Sequence, residues 1–310
     1  MFLEKKNKTK ISEFYPKVRM FHYINHNFFN DENNNTIIAQ MFYKNTGYYP
    51  SINNPQTFNE KILWLNQYYH NPLATCCADK YQIKEYVKKQ TGEDLSIPVL
   101  KTYKSIYDVN LNELPNKFVL KINWGKGDNS VIIVKDKTKV SIDEIRVKMD
   151  DWLQQWNNAY FENFDYAYKN MKPIIYAEEY VDEINREMNS YKIYCFNGKA
   201  KFVKVVGNKL KKGKITKTFF DNEWNKLPVK DAKSKINKTL SKPKQWNKMI
   251  DIAEQLAQPF PFVVVDFYNI NEKFYVGKME FYIEKNFEVF EPKEWDLKFG
   301  NELQLPEKCL

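Results

Sequence analysis

The order of predicted strands and helices constrains the fold of this chain more than any single motif. Short apolar runs predict a hairpin at 118–135, a helix at 141–156 with a Ser-x-x-Glu start, and a strand at 173–181. Two more hairpins follow. The first turns at Asn197-Gly198, a dipeptide that favours a tight turn, and the second carries acidic residues on its strands. The sequence therefore predicts helices that alternate with antiparallel hairpins.

The first hairpin contains two of the 9 glycines of the chain, Gly125 and Gly127, with Lys121 and Lys126 beside them. Two interpretations are open. The glycines can supply the positive φ angles of a plain hairpin turn. Alternatively, they can let backbone N–H groups approach a polyphosphate closely, with the lysines as counter-charges. An isolated G-x-G does not decide between these interpretations.

Composition predicts the class of protein and its compartment. With 310 residues, 43% of them hydrophobic, the chain can bury a large core in one composite domain or two to three lobes. The first residues, MFLEKKNKTKISEF, contain no apolar stretch typical of a signal peptide, and the run PFPFVVV is too short to span a bilayer. The cysteines show neither a disulfide framework nor zinc-ligand spacing. We therefore expect a cytoplasmic protein without a transmembrane segment.

The net charge of +9 favours anionic partners. The lysines are scattered along the chain, however, and neither an arginine stripe nor an RNA-binding signature occurs. We therefore expect no nucleic-acid partner.

Residues 1–75 are predicted to form a helical cap. The stretch FYPKVRMFHYINHNFF can form an amphipathic helix that packs on the protein or lies at the inner face of the membrane. Lys17 and Arg19 make a small basic face, which favours packing. A further helix is predicted where Phe58 and Ile62 begin a helical spacing.

A helix and a strand are predicted between this cap and the glycine hairpin. ADKYQIKEYVKKQ has helical spacing, with Asp79 placed as its N-cap and Gly92 as its stop. IPVLKTY, at 97–103, predicts a strand.

Eight blocks of sequence occur in an order and spacing that resemble a known family. They are NPQTFNEKILWLNQYYHNPL, ADKYQIKEYV, LPNKFVLKINWGKG, KPIIYAEEYV, YKIYCFNGKAKFV, FFDNEWNKLP, FPFVVVDFY and EPKEWDL. Over residues 55–305 the chain resembles the TupA-like ATP-grasp proteins of bacterial cell-surface polysaccharide loci. The resemblance implies an α+β (α/β), ATP-grasp-like fold in which two lobes hold ATP between them. The first lobe would span 76–172 with the glycine loop, and the second 173–310 with an adenine hinge and an acidic hairpin.

The resemblance also implies roles for individual residues. Lys121 would reach the α- and β-phosphates, Lys80 would be the first lysine on the nucleotide side, and Lys192 would reach a phosphate from a neighbouring strand. Lys121 and Lys192 are the implied catalytic residues. The remaining implied ATP-binding residues belong to the phosphate loop and the adenine hinge: Gly125, Lys126, Gly127, Glu178, Glu179, Tyr180 and Val181.

Some of these roles have a structural alternative. Lys80 can be a solvated lysine on an amphipathic helix, and Glu178-Glu179 can be the exposed end of a strand. Lys121 follows an apolar run, so its ammonium would need an anionic partner if buried, and a phosphate would provide one.

The chemistry that the family implies is the joining of a carboxylate to an amine. ATP would phosphorylate the carboxylate to an acyl phosphate, Mg²⁺ would neutralise the transferring group, and the amine would displace phosphate. A capsule or wall polymer with uronic acids would supply the carboxylate, and an amino acid or amino sugar the amine. The lysine run at 209–217 either attracts such an anionic saccharide or forms a solvated turn.

The last hairpin, at 262–284, departs from the family pattern at its metal site. The family has FVRVD and then a glutamate on the return strand, whereas this chain has FVVVD, with Asp266 present, and Lys278 in place of the glutamate. In one interpretation Glu280, on the same strand face as Lys278, holds Mg²⁺ together with Asp266. In the other, Asp266 pairs with Lys278 and metal-dependent transfer is lost. The fold would then serve a glycosyltransferase or a catalytically altered nucleotide-binding protein, although no D-x-D motif occurs.

Overall fold

The computed structural model describes residues 37–124, 130–154, 165–181, 189–207, 215–232, 234–236, 240–270, 273–282 and 287–309. Its helices are α1 (Ile37–Thr46), α2 (Phe58–Tyr68), α3 (Pro72–Ala78), α4 (Ile83–Thr91), α5 (Ile142–Gln154), α6 (Trp246–Ala257) and α7 (Glu294–Asn301). Its strands are β1 (Val99–Tyr103), β2 (Phe118–Ile122), β3 (Val131–Val134), β4 (Ile175–Glu179), β5 (Ser190–Phe196), β6 (Lys199–Gly207), β7 (Thr216–Asp221), β8 (Lys230–Asp231), β9 (Phe262–Ile270), β10 (Lys273–Glu280) and β11 (Phe290–Glu291). Helices and antiparallel sheets together make an α+β fold, as predicted.

A four-stranded antiparallel sheet has the order β1-β4-β2-β3. β2 and β3 form the predicted hairpin, and the fully buried Phe118, Leu120 and Ile122 pack against α5. Because side chains alternate along a strand, Lys121 lies on the opposite face of the sheet. β4 completes this sheet, so the first sheet extends past residue 172.

A five-stranded antiparallel sheet has the order β10-β9-β5-β6-β7. One face packs against α6, where Cys195 lies beside Ala253 in the core. The other face is aromatic at one end: Phe58 of α2 lies 5.8 Å from Phe196 and 5.4 Å from Phe262, measured between ring centroids. Further along β5 and β9, the same face carries charged residues.

Two predicted turns are confirmed by their backbone geometry. Asn197 and Gly198 have φ angles of 49° and 77° in the turn between β5 and β6. Gly92 ends α4 with a φ of 71°. These left-handed conformations explain why glycine and asparagine stand at these positions.

The predicted helix start at Asp79 is wrong, because Asp79 ends α3 and α4 begins at Ile83. The Asp79 carboxylate accepts hydrogen bonds from the backbone N–H groups of Tyr81 at 2.8 Å and Gln82 at 3.0 Å. It therefore stabilises a turn between two helices with the same chemistry that would cap a helix.

The predicted helix at Phe58 is confirmed as α2, which begins with a capping box between Thr57 and Glu60. The amphipathic stretch at 14–29 lies outside the described residues. None of the described helices is both long and apolar enough to cross a bilayer.

Candidate functional site

A buried ion cluster on the first sheet holds the predicted phosphate lysine. Glu178 of β4 is 3% exposed, and its carboxylate contacts the ammonium groups of Lys121 on β2 and of Lys84 on α4, the latter at 2.6 Å. Burial by itself would raise the pKa of Glu178, but the charges of Lys121 and Lys84 outweigh burial and lower that pKa. Glu178 is thus a buried, ionised carboxylate that pairs with two lysines, rather than the exposed end of a strand.

Lys121 is 22% exposed, so a ligand in solvent can reach its ammonium. Lys84 is more enclosed, since it also donates a hydrogen bond to the Ile97 carbonyl at 2.7 Å. Lys121 is therefore the member of this cluster that is best placed to meet a ligand.

Asn123, directly after β2, fixes the position of Lys80. Its buried side-chain amide donates to the Asp79 carboxylate at 2.5 Å and also bonds the backbone that leads into β4. The backbone N–H of Lys80 donates to the Asn123 carbonyl at 3.0 Å, and the Lys80 ammonium donates to the Ser130 hydroxyl at 3.1 Å. Lys80 therefore lies in the turn between α3 and α4 and bridges to Ser130, which follows the glycine loop. It is not a solvated lysine on a helix.

The residues that form the glycine loop itself lie outside the described residues. They include the predicted phosphate-covering residues Gly125, Lys126 and Gly127. Their role stays a prediction.

The predicted adenine hinge follows Glu178 at the end of β4. Glu179 is exposed, and its backbone N–H donates to the Pro98 carbonyl at 3.0 Å. The Tyr180 ring lies 5.5 Å from the Lys117 ammonium. Val181 continues the chain beyond the strand. The contact of these residues with adenine also stays a prediction.

Three strands of the second sheet place Lys278, Asp266 and Lys192 in one row. Asp266 on β9 is the register partner of Lys278 on β10 and of Lys192 on β5. Paired positions place their side chains on the same face of a sheet. Glu280 follows Lys278 by two residues and shares that face.

All four carboxylate oxygens of Asp266 and Glu280 contact donor groups. The Ser190 hydroxyl donates to Asp266 Oδ1, and the Lys192 ammonium lies 3.1 Å from Asp266 Oδ2. Lys192 also contacts Glu280 Oε2, while Lys278 contacts Glu280 Oε1. Lys278 is thus the register partner of Asp266, yet its ammonium contacts Glu280, and the Lys192 ammonium bridges both acids.

These ion pairs keep the cluster charged. Burial by itself lowers the pKa of Lys192, but Asp266 and Glu280 outweigh burial and raise that pKa above its usual value. Burial by itself raises the pKa of Glu280, but Lys192 and Lys278 outweigh it and lower that pKa well below its usual value. Lys192 and Glu280 therefore both stay charged in this cluster.

Tyr268 lies near both clusters. Burial raises the pKa of its phenol, and the negative charges of Asp266 on the second sheet and Glu178 on the first sheet add to the shift. Its ring lies over Gly277, where an added Cβ would approach Tyr268 Cε2 to 2.3 Å. The lysines of the first sheet and the ion cluster of the second sheet therefore border one shared region.

A further buried pair lies beside this row, and the sequence analysis missed it. Lys204 on β6 is the register partner of Lys192, and its ammonium contacts Glu288. The Tyr194 hydroxyl donates to the same Glu288 oxygen at 2.8 Å. Lys204 and Lys192 stand on neighbouring strands in one register. The alternation of side chains along these strands was the signal in the sequence that could have placed the two lysines on one face.

Comparison with known families identifies this architecture. The sequence profile described as TupA-like ATPgrasp matches residues 60–304 of the chain. The chain belongs to this family. No curated protein matches its sequence.

Several solved structures are similar to this TupA-like ATP-grasp chain. The D-alanine–D-alanine ligase from Bacillus anthracis is 16% identical over 74% of this chain and 66% of that chain, with a TM-score of 0.43. The corresponding ligase from Helicobacter pylori is 14% identical over 80% and 69%, with a TM-score of 0.44. An L-amino acid ligase from Bacillus licheniformis is 14% identical over 74% and 48%, with a TM-score of 0.41. The chain thus spans from about half to about two thirds of the length of these proteins, and the family match is what identifies its fold.

The acidic hairpin of this ATP-grasp chain does not fit the Mg²⁺ that the family implies. Asp266 and Glu280 offer the oxygen ligands that Mg²⁺ prefers, but their oxygens already contact Ser190, Lys192 and Lys278. Two ammonium groups beside two carboxylates leave no net negative charge to attract a divalent cation. Within the described ranges, no group of three or more His, Cys, Asp or Glu side chains could hold a metal.

Proposed function

We propose that this TupA-like ATP-grasp chain is an ATP-dependent ligase that joins a carboxylate to an amine. One observation carries the proposal: the buried ion clusters of Lys121 with Glu178 and of Lys192 with Asp266 both lie near enough to Tyr268 for their charges to act on its phenol, so the two clusters border one region. Family membership supports ATP as the ligand of that region.

The proposed reaction has two steps. The substrate carboxylate attacks the γ-phosphorus of ATP, which gives an acyl phosphate and ADP. The amine then attacks the acyl carbon, loses a proton and displaces phosphate, which leaves an amide. Lys80 and Lys121 orient and neutralise the phosphates, and the glycine loop covers them. The backbone of 179–181 binds the adenine edge.

The proposed carboxylate is a uronic acid in a capsule or other surface polysaccharide, and the amine is an amino acid or amino sugar. The resemblance to proteins of polysaccharide loci and the net charge of +9 support an anionic saccharide. The lysine run at 209–217 lies largely outside the described residues. Its last lysine, Lys217, pairs with Asp231 at 2.8 Å.

A second candidate function is that of a catalytically altered nucleotide-binding protein. The ammonium groups of Lys192 on β5 and Lys278 on β10 favour this alternative, because they contact the carboxylates that would hold the metal implied by the family. A metal-dependent glycosyltransferase is less favoured. Asp221, in the acidic cluster closest to a D-x-D motif, accepts backbone hydrogen bonds from Glu223 at 3.0 Å and Asn225 at 2.7 Å, so it stabilises a turn.

Two measurements test the proposal. In a thermal-shift panel, we expect ATP to stabilise the protein and sugar nucleotides to leave its melting temperature unchanged. In a phosphate-release assay, we expect ATP turnover only when a uronic-acid carboxylate and an amine are both present. Stabilisation by sugar nucleotides alone would favour the glycosyltransferase, and ATP binding without turnover on any pair would favour the altered binder.

A further inference from the structure

The row of charges on the second sheet is complete without a metal. Lys192 bridges Asp266 and Glu280, Lys278 contacts the second oxygen of Glu280, and Ser190 donates to Asp266. A cation between two carboxylates is the arrangement of a metal site, but here the cation is an ammonium.

The register of the sheet makes this arrangement specific. Lys192, Asp266 and Lys278 are paired positions on three adjacent strands, so their side chains must lie side by side. Asp266 is fully buried and Lys192 is 13% exposed, whereas Lys278 is 29% exposed and Glu280 26%. The row is therefore closed at β9 and open to solvent at β10, where a phosphate can reach Lys278.

We propose that the ammonium groups of Lys192 and Lys278 take the place of a divalent cation, so that the chain binds a nucleoside triphosphate without Mg²⁺. This inference rests on the proposed function, since it concerns how the same ATP is held. Lys192 stays on its carboxylates as a fixed positive charge, and Lys278 turns from Glu280 to the phosphates. A charge-assisted contact between an ammonium and a phosphate compensates the contact that Lys278 gives up.

Calorimetric titration of ATP into the full chain, in EDTA and in excess MgCl₂, tests this proposal. We expect an ATP dissociation constant that is the same within about threefold in the two solutions. Tighter binding in MgCl₂ by more than that factor would overturn the inference and leave the proposed function standing. Absence of ATP binding in both solutions would contradict the proposed function itself, and the inference would fall with it.

Lys278→Glu introduces the acid that the resemblance implies at this position, and the side chain it replaces is 29% exposed. We expect this variant to bind ATP about tenfold or more weakly in EDTA, because it loses a charge-assisted contact, and to regain affinity in MgCl₂. The matched control is Lys273→Glu, the same charge change at an exposed position of the same strand. Equal ATP affinities of the two variants in EDTA would overturn the inference.

A titration with Mn²⁺ alone, followed by electron paramagnetic resonance, reads out the cation site without nucleotide. We expect no saturable Mn²⁺ site on the wild type and a gained site on Lys278→Glu. A saturable Mn²⁺ site on the wild type that disappears in Glu280→Gln would show that the carboxylates hold a metal, and would overturn the inference.

Discussion

At the scale of single residues, we expect nucleotide affinity to depend most on Lys121. Lys121→Met should weaken ATP binding by about 1.5 to 3 kcal/mol, because it removes one charge-assisted contact to phosphate. Calorimetric titration of ATP into the full chain measures this loss.

The matched control for this variant is Lys101→Met, which changes an exposed lysine of the same sheet that pairs with Glu113. The control should bind ATP as the wild type does. An unchanged ATP affinity of Lys121→Met would remove Lys121 from the site.

Glu178 should make stability depend on pH. Its pKa is lower in the folded chain than in the unfolded chain, so its ion pairs stabilise the fold above the unfolded pKa, and this contribution is lost as pH falls through the folded pKa. Glu178→Gln should therefore cost roughly 3 kcal/mol of unfolding free energy at neutral pH. The difference from the wild type should shrink on acidification.

Urea unfolding of both proteins across the acidic range measures this difference. Glu113→Gln is the control, because Glu113 forms an exposed ion pair with Lys101 on the same sheet. A difference between wild type and Glu178→Gln that does not change with pH would show that Glu178 is not the buried, ionised group described above.

At the scale of elements, the close contact between β9 and β10 at Gly277 fixes the position of the Tyr268 ring. The register shifts between Val276 and Lys278, as in a β-bulge. Gly277→Ala should displace the Tyr268 ring, because the new Cβ would lie 2.3 Å from Cε2 and 2.9 Å from Cδ2. The expected cost is about 1 to 3 kcal/mol of unfolding free energy, together with weaker ATP binding.

Gly300→Ala separates these two effects. A Cβ at Gly300, on α7, would lie 2.2 Å from the backbone carbonyl oxygen of Gln56, so this variant should be destabilised while the folded fraction keeps its ATP affinity. Urea unfolding and ATP titration of both variants measure the two quantities. Weakened ATP binding in Gly300→Ala to the same extent would show that the loss in Gly277→Ala reflects general instability.

The sequence alone is sufficient to predict elements whose signals are local. The Asn197-Gly198 turn and the helix that begins at Phe58 depend on nearby residues, and both are confirmed. Asp79 was misassigned because a carboxylate that accepts backbone N–H groups stabilises a helix start and a turn equally well. Local chemistry therefore predicted the type of contact at Asp79, but not the element that it belongs to.

The sequence alone is insufficient to predict ion-pair partners that only tertiary packing brings together. Lys84 lies on an amphipathic helix, where a lysine is usually solvated, and its contact with Glu178 joins residues far apart in the chain. The bridge from Lys192 to Asp266 and Glu280 likewise requires the order β10-β9-β5, which no local pattern specifies.

At the scale of the whole molecule, two antiparallel sheets contribute to one region. The four-stranded sheet supplies Lys121 and Glu178, the five-stranded sheet supplies Lys192 and Asp266, and the charges of both acids raise the pKa of Tyr268. The eight sequence blocks predicted this family, and the family match over residues 60–304 confirms it. The order of the sequence blocks predicts a family well because the blocks are spread over the whole fold. The ion pairs are harder to predict because they depend on individual side chains.

A crystal structure of the full chain with a non-hydrolysable ATP analogue is the most direct test of the account. We expect the phosphates within hydrogen-bonding distance of Lys121 and Lys80, and the adenine against the backbone of 179–181. A nucleotide bound outside the region between Glu178 and Asp266 would contradict the account.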